Sequence, residues 1–459
     1  MAFRSILAQT FGLSLAQQGK RRQKSACCAI MRADISTGSA FAVTTLDGVQ
    51  PTFEELSEEE ALLLEQRAAE RRRRFAVTID LYLVLTVGIL VAIGLMMVWS
   101  TTFFWSEPQS AIFMQQFRNA LFGFAVMFVL SYIDYHWWRR LAIPIMALTL
   151  ALLIAVLIFG ETVFGAKRAF FNGAVQPAEL AALTVVMYMA AWLAAKQSKI
   201  RQLTYGLLPF ALLVGAVAGL IILEPDLSTA ALILVTATVM FFLAGADWLQ
   251  LLITFSAFIL MGLLAISQFD YARARVENFF DLLRDPLLAS DQAQNAIIGF
   301  LNGGLTGVGL GESRQKFENL SAPHTDAIFA VIGEELGLIG CALVIGLFVV
   351  LMMRGFRIAR QAPDTFGALL AAGITVSIVL EAMFNIAVMA SVIPFTGVPL
   401  PFISFGGSSL VSGLAAVGVL LNISRVIARQ AVPTRKVNET LWLTGMRGTI
   451  TRVRHRFEQ

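Results

Sequence analysis

Asp326 is the carboxylate whose setting most invites chemistry. It follows Pro323, His324 and Thr325 and heads the apolar run DAIFAVIGEELGLIG. A carboxylate at a helix end can take the proton of a bound hydroxyl and so act as a general base. The competing reading is an N-cap that satisfies free backbone N–H groups. Deeper in the same run, Glu334 and Glu335 are adjacent and so point to different sides of a helix. At least one should meet a cation or a polar cavity, unless both make structural bonds between helices. Glu179 follows Gln176 and Pro177, and Asp226 follows Pro225. Glu381 and Asn385 are four apart and share one helix face. Acids inside apolar runs cost several kcal/mol unless paired or wetted, which makes each of them a candidate. Taken singly, Glu179, Asp226, Glu381 and Asn385 read equally well as polar contacts that hold helices together.

The elements that must carry these groups are membrane helices. Of 459 residues, 57% are hydrophobic and only 14% are charged, where a soluble chain carries about 25% charge. Mean hydropathy is +0.73. The apolar runs are continuous and do not alternate, which excludes a β-barrel. Roughly ten reach the length of about 20 residues that a spanning helix needs. They cover 78–101, 112–133, 140–159, 178–195, 203–223, 228–244, 248–267, 326–353, 366–392 and 404–427. The fold class is therefore all-α and polytopic, in three parts. Residues 1–77 form a cytoplasmic tail, largely disordered, with a short amphipathic helix after Ser57. Residues 78–427 form the membrane domain, and 428–459 a basic cytoplasmic tail.

Charge sets the expected orientation. With the N-terminus inside, the short inward loops hold Arg139, Arg140, Lys196, Lys199, Arg201, Arg354, Arg357 and Arg360, and the short outward loops only Lys167 and Arg168. That asymmetry follows the positive-inside rule and returns the C-terminus to the cytoplasm. The net charge of +4 is topogenic, with no folded basic domain to bind nucleic acid. Cys27, Cys28 and Cys341 make no disulfide or metal pattern.

One loop is too long for a connector. Residues 268–325 lie outside, and loops of such length usually work. An amphipathic helix is expected near 272–284, followed by the glycine-rich LNGGLTGVGLGESRQKF of 301–317. Lys167, Arg168, Arg314 and Lys316 oppose the charge rule and can serve an anionic ligand, since Lys and Arg pair strongly with phosphate. The bland alternative is solvated loop charge. The glycines of 303–311 can let backbone approach such a ligand. Segment 394–410, PFTGVPLPFISFGGSSL, is too rich in proline and glycine for a helix. It must be buried in protein or line a cavity.

Two of these stretches, PHTDAIFAVIGEELGLIG and PFTGVPLPFISFGGSSL, resemble the SEDS family (shape, elongation, division and sporulation), whose members include FtsW and RodA. GAKR at 165–168, QPAEL at 176–180, EPDLSTA at 224–230, Gln292, GGLTGVGLGESRQKF and Asn385 fall in the family's order. The likeness covers roughly 78–427. The ending SGLAAVGVLLNISR leans towards FtsW.

The resemblance implies a peptidoglycan glycosyltransferase that polymerises lipid II at the outer face of the cytoplasmic membrane, during septal wall synthesis. Asp326 is then the catalytic base. Arg168, Lys167, Lys316, Gln292, Glu179, Asp226, His324, Glu335, Ser404 and Ser408 are the implied substrate-binding residues. A divalent cation (Mg or Mn) is the implied cofactor, and a class B penicillin-binding protein transpeptidase the implied partner among other division proteins. The runners-up are a lipid II flippase, with Glu179, Asp226, Glu335 and Glu381 as its polar path, and an elongation-type polymerase. The chain departs from the family pattern at Ala169 (a Trp), Ala182 (a Lys), Ser228 (a Gly), Leu320–Ala322 (LPE) and Glu381 (a Gln). The missing lysine bears on the role of Glu179.

Overall fold

Backbone in hydrocarbon must satisfy its own N–H and C=O groups, and a helix does so within one segment. The computed structural model turns the apolar runs into helices accordingly. It describes residues 80–102, 109–163, 166–170, 176–196, 199–285, 291–315 and 323–430. The expected tail helix, Cys27, Cys28, Lys316 and the basic tail from 431 lie outside the described residues.

In chain order the membrane helices are α1 (Leu81–Thr102), α2 (Gln109–Tyr132), α3 (His136–Phe159), α4 (Pro177–Lys196), α5 (Leu208–Leu223), α6 (Leu227–Leu243) and α7 (Trp248–Gln268). Then come α8 (Asp270–Arg284), α9 (Asp291–Gly303), α10 (Ile328–Glu335), α11 (Gly337–Gln361), α12 (Thr365–Met389) and α13 (Gly407–Gln430). A π-helical turn, Leu203–Leu207, leads into α5. Among the described residues nine helices are long and apolar enough to cross a membrane. The tenth expected span is α6, whose 17 residues extend about 26 Å and meet the lower limit for a crossing.

The most buried of these nine spans are α12 and α13. Helix α12 packs against α4, α6 and α11, and α13 lies along α2. Local caps set several starts. Asp226 accepts from the Thr229 amide, Asp364 from the Gly367 amide, and Asp247 and Gln250 form a capping box.

Long-range bonds gather one set of loops at one end of the bundle. Arg354 grips Asp80 through both carboxylate oxygens, the Tyr135 hydroxyl donates to Asp364, and Arg201 faces Asp247 at 3.6 Å. These are the loops that the charge pattern assigns to the cytoplasm.

The structure corrects the expected elements in three places. A small hairpin interrupts the all-α pattern: β1 (Glu161–Val163) pairs antiparallel with β2 (Ala166–Ala169). The amphipathic helix expected near 272–284 is α8, but α9 was not foreseen. Asp326 does not begin the eighth span. That span starts at Gly337, after the separate eight-residue α10. The break is built by the glycine loop. Gly337 has φ +66, and its Cα lies against the backbone of Leu305 and Gly307. The Val308 and Gly309 amides donate to the Glu334 and Glu335 carbonyls, and the Leu338 and Ile339 amides donate back to Gly304 and Leu305. Gly303 and Gly307 thus admit protein backbone, whereas an added Cβ at Gly304 or Gly311 would meet nothing within 4 Å.

Glu334 is the side-chain anchor of this joint. Buried, it accepts from the Ser313 hydroxyl, the Arg314 and Gln315 amides and Asn302. Glu334→Ala strands these donors, each orphan costing about 1–3 kcal/mol. We expect a loss of roughly 3 kcal/mol in stability, read as a lowered unfolding temperature of the purified protein.

Candidate active site

The segment between α12 and α13 is buried and irregular, as its prolines and glycines require. Leu400, Phe402, Ile403 and Ser404 are almost fully enclosed, and Phe402 takes φ +67. Helix α1 makes room for it at Gly94, where an added Cβ would lie 2.7 Å from Ile403 backbone. Asn385 ties the segment to the Asp326 turn, donating to the carbonyls of Asp326 (2.8 Å) and Val398 (2.7 Å). The Phe405 amide donates to the His324 carbonyl at 2.8 Å.

A cavity of about 1510 Å³ opens against this segment. Its polar end holds Asp326, His324, Gln292, Asp226, Arg275 and Tyr271, and Glu179, Glu381 and Ser408 also line it. Further along, Phe122, Leu183, Val186 and Ile378 make an apolar wall. Phe122 is 62% exposed on α2 although it lines the cavity, so this wall continues onto the lipid-facing surface.

Asp326 is partly buried, and Thr325 donates its hydroxyl to Oδ1 at 2.9 Å. It is not the cap of α10; Ala327 holds that place, without a side-chain bond. Burial raises the Asp326 carboxyl above its ordinary value, against the opposing pull of Thr325, the local amides and the Arg275 charge. Burial also lowers His324, which meets the Phe405 ring edge-on and so favours neutral imidazole. Gly397 takes φ +70, and a Cβ there would meet Asp326 Oδ2 at 3.6 Å, an ordinary contact. Gly397→Ala therefore acts through the backbone: αL strain is expected to cost about 1–2 kcal/mol of stability, read as a lowered unfolding temperature, with little direct displacement of the carboxylate.

The structure brings together Asp326, Gln292, Glu179, Asp226, His324 and Ser408 from the sequence reading. It places two others elsewhere. Glu335 does not line the cavity; it is buried on α10 and accepts from Ser100 of α1, an interhelical bond. Ser404 is buried inside the irregular segment, where its hydroxyl accepts from the Leu400 amide and its carbonyl from Gln116. Lys167 and Arg168 lie on β2 with side chains outside the described set, as is all of Lys316. Asp226 doubles as the α6 cap. Of the departures, Ala182 and Glu381 line the cavity, Ala169 is fully buried, and Ser228 donates to the Thr396 carbonyl.

The sequence reading missed Arg275 as a site residue. It is the only lysine or arginine lining the cavity among the described residues. It reaches the Thr396 carbonyl at 3.4 Å and lies 5.8 Å from the Tyr271 ring centroid. The Tyr271 hydroxyl is buried without a hydrogen-bond partner among the described residues. The available signal was their spacing: four apart on an amphipathic helix, hence on one face. Gln115 and Asn119 of α2 also line the cavity and share a face for the same reason.

Fold and site define a class: a multi-pass helical membrane protein with an acid-rich cavity, polar at one end and open to lipid along an apolar wall. The family model of the FtsW/RodA/SpoVE cell cycle proteins matches residues 80–428, and the chain belongs to that family. It is 38% identical over 362 residues to stage V sporulation protein E of Bacillus subtilis, covering 75% of this chain and 97% of that one. It is likewise 38% identical over 355 residues to a probable peptidoglycan glycosyltransferase FtsW of Trichlorobacter lovleyi, covering 75% and 93%. Among solved structures, a chain from a study of how a peptidoglycan synthase complex coordinates polymerisation and crosslinking aligns with a TM-score of 0.65. Identity there is 30%, over 76% of this chain and 99% of that one. The rod shape determining protein RodA of Thermus thermophilus aligns at 0.57 and 28% identity, over 76% and 97%.

Proposed function

We propose that this chain is a peptidoglycan glycosyltransferase that polymerises lipid II at the outer face of the cytoplasmic membrane, with Asp326 as general base. The observation that carries the reading is the partly buried Asp326 at the polar end of a cavity whose far wall is apolar and lipid-facing. That shape suits a substrate with a sugar diphosphate head and a polyprenyl tail. The names of similar chains agree with it.

In the reaction, the 4-hydroxyl of an acceptor GlcNAc attacks C1 of the donor MurNAc. Asp326 takes the hydroxyl proton, the new O–C1 bond forms, and the bond from C1 to the diphosphate oxygen breaks. Undecaprenyl diphosphate leaves with added negative charge. Arg275 is the described cation placed to meet it, and Arg168, Lys167 and Lys316 are assigned the same task from sequence. Gln292, His324 and Ser408 are assigned to the sugar hydroxyls, and Glu179 and Asp226 to the cavity wall.

The described residues do not by themselves make a metal site, because no three carboxylate, imidazole or thiolate groups converge. A Mg or Mn ion would fit only by sharing its ligands with substrate phosphate, as Mg usually does. The partner we assign is a class B penicillin-binding protein, in keeping with the synthase complex that supplies a similar chain. The septal role rests on the SGLAAVGVLLNISR ending, since identity is equal to the sporulation and the division relative. A fluorescent fusion concentrated at midcell supports that role, and one spread along the side wall assigns elongation instead.

The deciding assay gives the purified chain, with its transpeptidase, lipid II and a divalent cation. Glycan strands are the expected product. Transfer of lipid II between leaflets without polymer would establish the flippase in its place.

A further inference from the structure

A second cavity lies away from the Asp326 site, between α5 and α7. It holds about 520 Å³, with Leu203, Leu207 and Gly215 on one wall and Ile253, Ala257 and Met261 on the other. The wall is almost wholly apolar, and the Thr254 hydroxyl turns back on its own helix to the Gln250 carbonyl. Among the described residues the two helices are tied at one end only, through the segment that leads into α5. There Gln250 donates to the Ile200 carbonyl at 2.9 Å, and Arg201 faces Asp247. Beyond that tie they barely touch, and the groove occupies the gap.

Its dimensions select the occupant. Leu203 to Gly215 spans roughly 18 Å of helix axis at about 1.5 Å per residue. Spread over that length, the 520 Å³ open to the centres of water-sized atoms is roughly 6 Å across, or about 9 Å from wall to wall, still narrower than the roughly 10–12 Å of a helix with side chains. A partner's helix does not fit, but a single hydrocarbon chain does. The tied end is basic. Lys199 lies over the Tyr205 ring, Arg201 is 74% exposed, and Lys196 ends α4 exposed nearby in sequence. Asp247 is the carboxylate set against them.

We propose that this groove binds one acyl chain of an anionic glycerophospholipid whose headgroup sits on Lys199 and Arg201. The site takes lipid from the leaflet that holds the Lys196–Arg201 loop, and is separate from the Asp326 cavity.

Native mass spectrometry of the full, delipidated chain tests this, with phosphatidylglycerol and phosphatidylcholine of identical chains as probes. Phosphatidylglycerol should be retained roughly tenfold better, from two basic residues at the headgroup. Lys199→Gln with Arg201→Gln should erase that preference. Gly215→Phe fills the groove from a position where a Cβ meets nothing within 4 Å. Ala257→Phe fills it from the opposite wall, so one folded variant of the two suffices. Either should lower retention of both lipids. Equal retention of the two lipids by the native chain would make this ordinary surrounding lipid and overturn the proposal. So would unchanged retention in the folded filling variants, or displacement of phosphatidylglycerol by undecaprenyl phosphate.

Discussion

Asp326→Asn is expected to lower the rate of glycan polymerisation by about 10²- to 10⁴-fold, the usual worth of a general base. The amide has nearly the same shape and keeps an oxygen for the Thr325 hydroxyl, so lipid II binding should change little. The loss then falls on kcat. The pH dependence separates this role from a structural one. A base works only when ionised, so activity is present above its pKa in the folded enzyme and lost as pH falls through it. Burial raises the Asp326 carboxyl above its ordinary value, which places the acid limb of kcat/KM above the unperturbed Asp value of about 3.9. In Asp326→Asn the residual rate should not follow that limb. Polymer formed at the native rate, or an acid limb that survives the substitution, would remove Asp326 from the base role. Unchanged gel filtration and unfolding temperature guard against a folding defect.

What could be read in the sequence, and what could not, divides along the range of the forces involved. The spans were legible because desolvation acts on each run by itself: α1, α4 and α12 begin and end within a few residues of the apolar stretches that encode them. The amphipathic α8 was legible from its own periodicity. The break before Gly337 was not. It depends on the loop at 304–309 exchanging backbone hydrogen bonds with residues about thirty positions later, and nothing local announces that pairing. Glu335 shows the same limit. A buried acid invites a functional reading, but its partner is Ser100, 235 positions away. Asp326 was a cap or a base on local grounds, and the structure removes the first reading by giving the cap position to Ala327. Arg275 was overlooked because in sequence it is one of several loop charges. Only the folding of α8 against Thr396 brings it to the cavity.

Arg275→Gln is the second large effect expected, and it couples to the first. If the guanidinium stabilises the departing diphosphate, its loss should cost about 10²- to 10³-fold in kcat, as for other preorganised groups that meet developing charge. Its charge also favours ionised Asp326. Removing it should therefore raise the Asp326 pKa and move the acid limb of kcat/KM to higher pH. The two observables separate the two roles. A lower plateau with a displaced limb shows that Arg275 serves both leaving group and base. A displaced limb with the native plateau confines it to tuning Asp326. If neither moves, Arg275 has no part in the reaction. Arg275→Lys keeps a charge but loses the planar fork that matches phosphate, so its plateau should fall between those of native and Gln chains. The double variant Asp326→Asn with Arg275→Gln should lose less than the product of the single losses, because groups that act on one transition state are not independent. A fully multiplicative loss would mean that Arg275 acts on substrate binding alone, away from the proton transfer at Asp326.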